Sequence, residues 1–149
     1  MNASALRRKV VTMSLLLSAV ACASTRPAEF LAAPGGGPPR PFSPAVRVNG
    51  FLFLSGQLGT DSSGTLVKGG IQAETRQTME NIRDVLRRSG SSLGRVVKCT
   101  AFLADMREWA AMNEVYVTFF EAGKLPARSA MGANGLALGA KVEIECLAY

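Results

Sequence analysis

The stretch Lys141-Val142-Glu143-Ile144-Glu145-Cys146-Leu147, read with Leu125-Pro126-Ala127-Arg128-Ser129-Ala130-Met131 before it, decides how this chain folds. Val142, Ile144 and Cys146 alternate with Glu143, Glu145 and Leu147. Period two marks a strand with one face on a core, so both carboxylates point away from the covering layer. The earlier stretch sets a permanent cation, Arg128, at the mouth of a neighbouring strand. The chain contains no histidine. Proton transfer therefore falls to carboxylates rather than imidazole.

Working outward, Ser129 to Ala133 and Val142 to Ala148 are the last two strands, joined by the glycine-bearing segment Asn134 to Ala140. Before them Asp105 is placed to cap a helix. In that helix Trp109, Met112, Tyr116, Phe119 and Phe120 recur at helical period, are expected in the core, and end at Gly123. Val96 to Ala104 reads as a largely buried strand. Upstream, Ile71, Thr75, Thr78, Met79, Ile82, Val85 and Leu86 form one stripe, with Glu74, Arg76, Glu80 and Arg83 facing elsewhere, in an amphipathic helix closed by Gly90. Gly59 to Gly70 is loop. Two strands, Ala45 to Val48 and Phe51 to Gln57, flank the hairpin signal Asn49-Gly50.

The order is ββαβαββ, which predicts an α+β domain with a mixed sheet. Right-handed crossovers place both helices on one face. Phe51-Leu52-Phe53-Leu54 is nevertheless apolar on both faces, and no element remains to cover the far side. A symmetric homo-oligomer with sheets facing inward supplies that cover. Glu143 then points toward a subunit interface.

At 149 residues, 48% apolar and 19% charged, the composition is that of one globular domain. The formal charge of +6 includes Arg7, Arg8 and Lys9 near the N-terminus. Without residues 1–21 there are fourteen cations against eleven acids, a surplus of +3. That is too weak to imply nucleic acid. Paired-cysteine spacing and acid clusters of ligand type are lacking, so no metal is expected.

Arg7-Arg8-Lys9 followed by the apolar run Val10 to Val20 and the small residues Ala19-Val20-Ala21 reads as a signal peptide over 1–21. Cys22 directly after it resembles a lipoprotein box, in which that cysteine is lipidated. The expected location is export, periplasmic or as a membrane-anchored lipoprotein, with membrane contact only through that anchor. Residues 22–40, with Pro34-Gly35-Gly36-Gly37-Pro38-Pro39 at their centre, read as a flexible linker. The folded domain is expected over 41–149. Cys99 and Cys146 sit in apolar strand patterns and are expected as small buried core residues rather than a disulfide.

Five motifs in this order resemble the YjgF/RidA family of reactive-intermediate deaminases: Pro41-Phe42-Ser43-Pro44-Ala45-Val46, Phe53-Leu54-Ser55-Gly56-Gln57, Asn113-Glu114-Val115-Tyr116 with Phe119-Phe120, Pro126-Ala127-Arg128-Ser129, and Val142-Glu143-Ile144-Glu145-Cys146. The resemblance implies a chorismate-mutase-like fold, a homotrimer, and a ligand cleft between neighbouring subunits. It implies hydrolysis of 2-imino or enamine carboxylates, such as 2-iminopropanoate and 2-iminobutanoate, to 2-keto acids and ammonia without a cofactor. Carried over by residue, Arg128 holds the substrate carboxylate and Glu143 positions or deprotonates the attacking water. Phe42, Ser55, Gly56 and the backbone of Ala130 contact substrate. The family archetype has tyrosine where Phe42 stands and cysteine where Ala130 stands, differences that bear on substrate range. The alternatives are a non-catalytic trimer that binds small carboxylates and, behind it, an endoribonuclease or translation inhibitor.

Overall fold

In the computed structural model, the structure describes residues 27–32 and 40–149. The signal-peptide and lipidation expectations, residues 1–21 and Cys22, lie outside them.

Among the described residues seven strands and two α-helices are built in the order β1 Glu29–Phe30, β2 Ala45–Val48, β3 Phe51–Leu54, β4 Gln57–Leu58, α1 Gly70–Arg88, β5 Val96–Leu103, α2 Trp109–Tyr116, β6 Ala127–Gly132 and β7 Val142–Ala148. One sheet runs β1-β2-β3-β7-β5-β6, with β4 also on β7. Only β5 and β6 are parallel, and α2 is the crossover between them. The remaining pairs are antiparallel, which makes the sheet mixed as the element order predicts. Asn49 and Gly50 both adopt positive φ, the requirement of the tight turn joining β2 to β3.

Strand alternation sets the two faces. Leu52, Leu54, Cys99, Ala101, Leu103, Val142, Ile144 and Cys146 are buried and pack with Met79, Ile82, Leu86, Met112 and Tyr116 of the helices in one core. Burying a large aliphatic side chain is worth roughly 1.5–3 kcal/mol, so this stripe-on-sheet packing outweighs any surface pair. The other face stays open among the described residues. There Phe51 and Phe53 are 46% and 52% exposed, beside half-buried Phe102 and Leu147. The two-sided apolar strand is thus real, and only one of its sides is covered by its own helices.

Several readings are corrected. Cys99 and Cys146 are buried and joined by a disulfide. They are register partners on β5 and β7 with Cα atoms 4.1 Å apart, and the pairing of strands 47 residues apart is invisible to local pattern. Glu74 faces inward rather than outward, because its carboxylate accepts the Lys141 N–H at 2.7 Å and anchors the start of β7 to α1. Trp109 is 42% exposed instead of core. The second helical segment also breaks into short 3-10 turns at Met106–Glu108 and Val117–Phe119 on either side of α2, and that α-helix is only eight residues long. Residues 29–30, within the stretch read as linker, add the edge strand β1.

Candidate active site

Glu143 lies on β7 between two core positions, so the pleat turns its side chain to the open face. Its carboxylate rests against Gly56. A Cβ built on Gly56 would fall 1.9 Å from Glu143 Oε1, so any side chain here would displace the carboxylate from this seat. Burial raises the Glu143 pKa above the usual 4.5, and Glu145 two residues on adds like-charge repulsion in the same direction. The group is half-buried and its ionised form is incompletely hydrated. Such a carboxylate is a stronger proton acceptor than a surface glutamate.

The loop beside it is held by its own polar groups. The Ser55 N–H donates to the Pro44 carbonyl at 3.0 Å, and the Ser55 hydroxyl donates to the Ser43 carbonyl at 2.6 Å. The Gln57 side-chain amide donates to the carbonyls of Ser55 and Gly56 at 3.0 and 3.1 Å. Phe42, 51% exposed, stands beside Ser55 in an open cleft of ≈ 500 Å3. The structure therefore gathers Phe42, Ser55, Gly56 and Glu143 along one side of the molecule.

Arg128 and Ala130 are placed elsewhere. On β6 they are the register partners of Cys99 and Ala101, both buried on the helix-covered face. The Arg128 guanidinium lies 4.7 Å from the Tyr116 ring centroid and 5.9 Å from that of Trp109. Among the described residues no carboxylate lies within ion-pair distance of it. It is a planar cation held by aromatic faces, with its hydrogen-bonding fork free for a carboxylate. Arg128 and Glu143 thus occupy opposite faces of the sheet, two strand positions apart, about 10 Å across the sheet.

Sequence reasoning assigned Trp109 and Tyr116 to packing alone. Their seven-residue spacing puts them on one face of the helical segment, a signal that would have paired them with any cation opposite. Tyr116 is 3% exposed, and its hydroxyl has no hydrogen-bond partner among the described residues. Burial pushes its pKa up to about 12, while the charge of Arg128 pulls the other way. The phenol remains neutral.

Residues 33–149 match the family model described as Endoribonuclease L-PSP. A mouse protein named 2-iminobutanoate/2-iminopropanoate deaminase is 44% identical over 72% of this chain and 80% of its own length. The chain belongs to the YjgF/RidA family. A solved Rid-family protein of unknown function from Yersinia pestis superposes with a TM-score of 0.76 at 32% identity, covering 82% of this chain and 98% of that one. The mixed sheet with two helices is the fold of these Rid-family structures. A third Rid relative, from Schizosaccharomyces pombe, is 44% identical over 72% of this chain and 86% of its own, and is named Protein mmf2, mitochondrial.

That relative and the mammalian deaminases overturn the expected export, signal peptide and lipoprotein anchor at Cys22. The physical reason is that the N-terminus is basic, apolar, serine-bearing and free of acids up to Glu29, a composition common to several targeting classes. Among the described residues no helix is long and apolar enough to cross a membrane.

Proposed function

We propose that this protein hydrolyses small 2-imino or enamine carboxylates to 2-keto acids and ammonia, in a site completed by two copies of the chain within a homotrimer. The observation that carries the reading is the desolvated Glu143 carboxylate seated on Gly56, in a chain 44% identical to a named imine deaminase. Arg128 of one copy binds the substrate carboxylate through two parallel charge-assisted hydrogen bonds. Glu143 of the next copy accepts a proton from water as the water oxygen bonds to C2. The C=N π pair passes to nitrogen, which takes that proton from Glu143, and a carbinolamine forms. The C–N bond then breaks as the carbinolamine hydroxyl loses its proton to Glu143. The leaving nitrogen takes the proton held by Glu143 and departs as ammonia. No step needs a metal or a cofactor.

Opposite-face placement of Arg128 and Glu143 supports the two-copy arrangement, since the sheet separates them within one chain. The open apolar face of Phe51, Phe53 and Leu147 supplies a surface for the second copy. The test is ammonia and pyruvate release from 2-iminopropanoate. Release well above the buffer rate is expected, with Arg128→Ala lowering kcat/KM about 100-fold or more, mainly through KM. Turnover at the buffer rate alongside Arg128-dependent binding of pyruvate would select the carboxylate-binding alternative, which the unpaired, aromatic-held Arg128 also favours.

A further inference from the structure

The seat of the Glu143 carboxylate is Gly56, and glycine has the widest backbone freedom of any residue. A seat of fixed shape therefore needs a restraint from outside the glycine. The sheet ladder alone does not supply it. Phe53 stands opposite Leu147 and Gln57 opposite Ile144, so three residues, Leu54, Ser55 and Gly56, face only two on β7, Glu145 and Cys146. The extra residue falls at Ser55-Gly56, outside both β3 and β4, and makes a bulge where regular pairing is interrupted.

Gln57 spans that bulge from the far side of the sheet. Its register partner Ile144 is buried against the helices, and its side chain lines a groove with Gln77 and Asn81 of α1. Glu143 is on the opposite, open face. From the helix side the Gln57 amide donates to the Ser55 carbonyl at 3.0 Å and to the Gly56 carbonyl at 3.1 Å. These carbonyls belong to the two peptide planes that meet at the Gly56 Cα, so one side chain fixes both soft dihedrals of the glycine against which the carboxylate rests.

Resting on the deaminase reading given above, we propose that Gln57 is a positioning residue for Glu143: it holds the Ser55-Gly56 bulge in the shape that seats the carboxylate, without itself touching substrate. When those two bonds are lost, the bulge gains other backbone shapes, the carboxylate leaves its seat part of the time and water reaches it more freely. Proton transfer then slows. Substrate anchoring at Arg128, on another strand and the other face, is unchanged. Around Glu143 the cross-strand neighbours Leu58 on β4 and Phe102 on β5 carry no charge, Glu145 is the like charge on its own strand, and Arg128 of the adjoining copy is the cation that the proposed assembly brings to it. Burial is the larger cause of the raised Glu143 pKa and Glu145 the smaller, so a loosened, wetter seat moves that pKa down toward its ordinary value.

The experiment is a double-mutant cycle on the full chain, with 2-iminopropanoate generated in situ by an amino-acid oxidase. Gln57→Met keeps the length of the side chain and removes both donors. In the wild-type background it should lower kcat about ten- to thirtyfold, leave KM within about twofold and shift the low-pH limb of kcat to lower pH. In the Glu143→Gln background the same change should cost less than about twofold, because no proton acceptor is left to position. Gln57→Asn, which keeps the donors on a shorter stem, should fall between, and it takes the place of Gln57→Met in the cycle if that variant does not assemble. Equal losses in both backgrounds, no loss in either, or an unmoved limb would overturn the assignment and leave Gln57 as a structural residue of β4. If the wild type gives no turnover, the deaminase reading fails by itself. Titration of the Glu143 carboxyl carbon by NMR then decides the positioning claim: a raised pKa that falls in Gln57→Met upholds it, and an unchanged one overturns it.

Discussion

The two faces of the sheet carry opposite halves of an incomplete site. On edge strand β6, Arg128 has no carboxylate in ion-pair distance among the described residues and is held on the helix side by the rings of Tyr116 and Trp109. On interior strand β7, Glu143 has no cation in ion-pair distance among the described residues and is set on the open face over Gly56, with Ser55 and Phe42 beyond it. Each half is organised as though its counterpart were present. Aromatic faces orient Arg128 without neutralising it, whereas burial and Glu145 raise the pKa of Glu143 without supplying a positive neighbour. A fold that built both halves only for its own stability would have paired them, because an unpaired, partly buried charge costs free energy. The proposed site, shared by two copies with a substrate between them, accounts for this difference between the faces.

The largest expected effect falls on the carboxylate half. Glu143→Gln keeps the shape over Gly56 and removes the proton acceptor, and should lower kcat by about 10²–10⁴ with KM little changed. Because the folded-state pKa of Glu143 is raised above 4.5, the wild-type rate should fall as pH drops through that raised value. The residual rate of Glu143→Gln should lack this limb. The stability sign is the reverse of the activity sign. Folding favours the protonated form of Glu143, so its stabilising contribution is present below the unfolded pKa and is lost as pH rises through the folded one. Glu143→Gln should thus melt at an equal or higher temperature near neutral pH. A lower Tm would recast Glu143 as a structural ion and remove one side of the comparison.

A smaller effect is expected at the cation half. Tyr116→Leu removes the ring beneath Arg128 while keeping an apolar side chain, and should raise KM about three- to tenfold with kcat nearly unchanged. Tyr116→Phe keeps the ring and drops only an unpartnered hydroxyl, so it should behave as wild type or gain slightly in stability. Equal losses in both variants would show that the hydroxyl, not the ring, is what Arg128 needs.

Much of this was legible in the sequence because it is local. Alternation along Val142–Ala148 fixed which residues of β7 face the core, the helical stripe from Ile71 to Leu86 fixed α1, and Asn49-Gly50 fixed the β2–β3 turn. What escaped depends on partners far apart in the chain. The Cys99–Cys146 disulfide and the Glu74–Lys141 bond both rest on register between separate elements. The placement of Arg128 over Tyr116 and Trp109 likewise emerges only once β6 lies parallel to β5, with α2 above them. β1 was hidden for another reason: two residues in a stretch of prolines, glycines and alanines carry no periodicity, and their strand exists because β2 offers an edge.

The central claim, that one copy contributes Arg128 and another Glu143 to the same site, is tested most directly by mixing two inactive variants. Arg128→Ala and Glu143→Gln are each purified, combined in equal amounts, briefly dissociated and reassembled. Their turnover of 2-iminopropanoate is then measured against each variant carried alone through the same treatment. Sites drawn from two copies predict recovery of about a quarter of the wild-type rate, since random assembly leaves that share of interfaces with both residues intact. Subunit exchange shown by mass spectrometry with no recovery of turnover would contradict it.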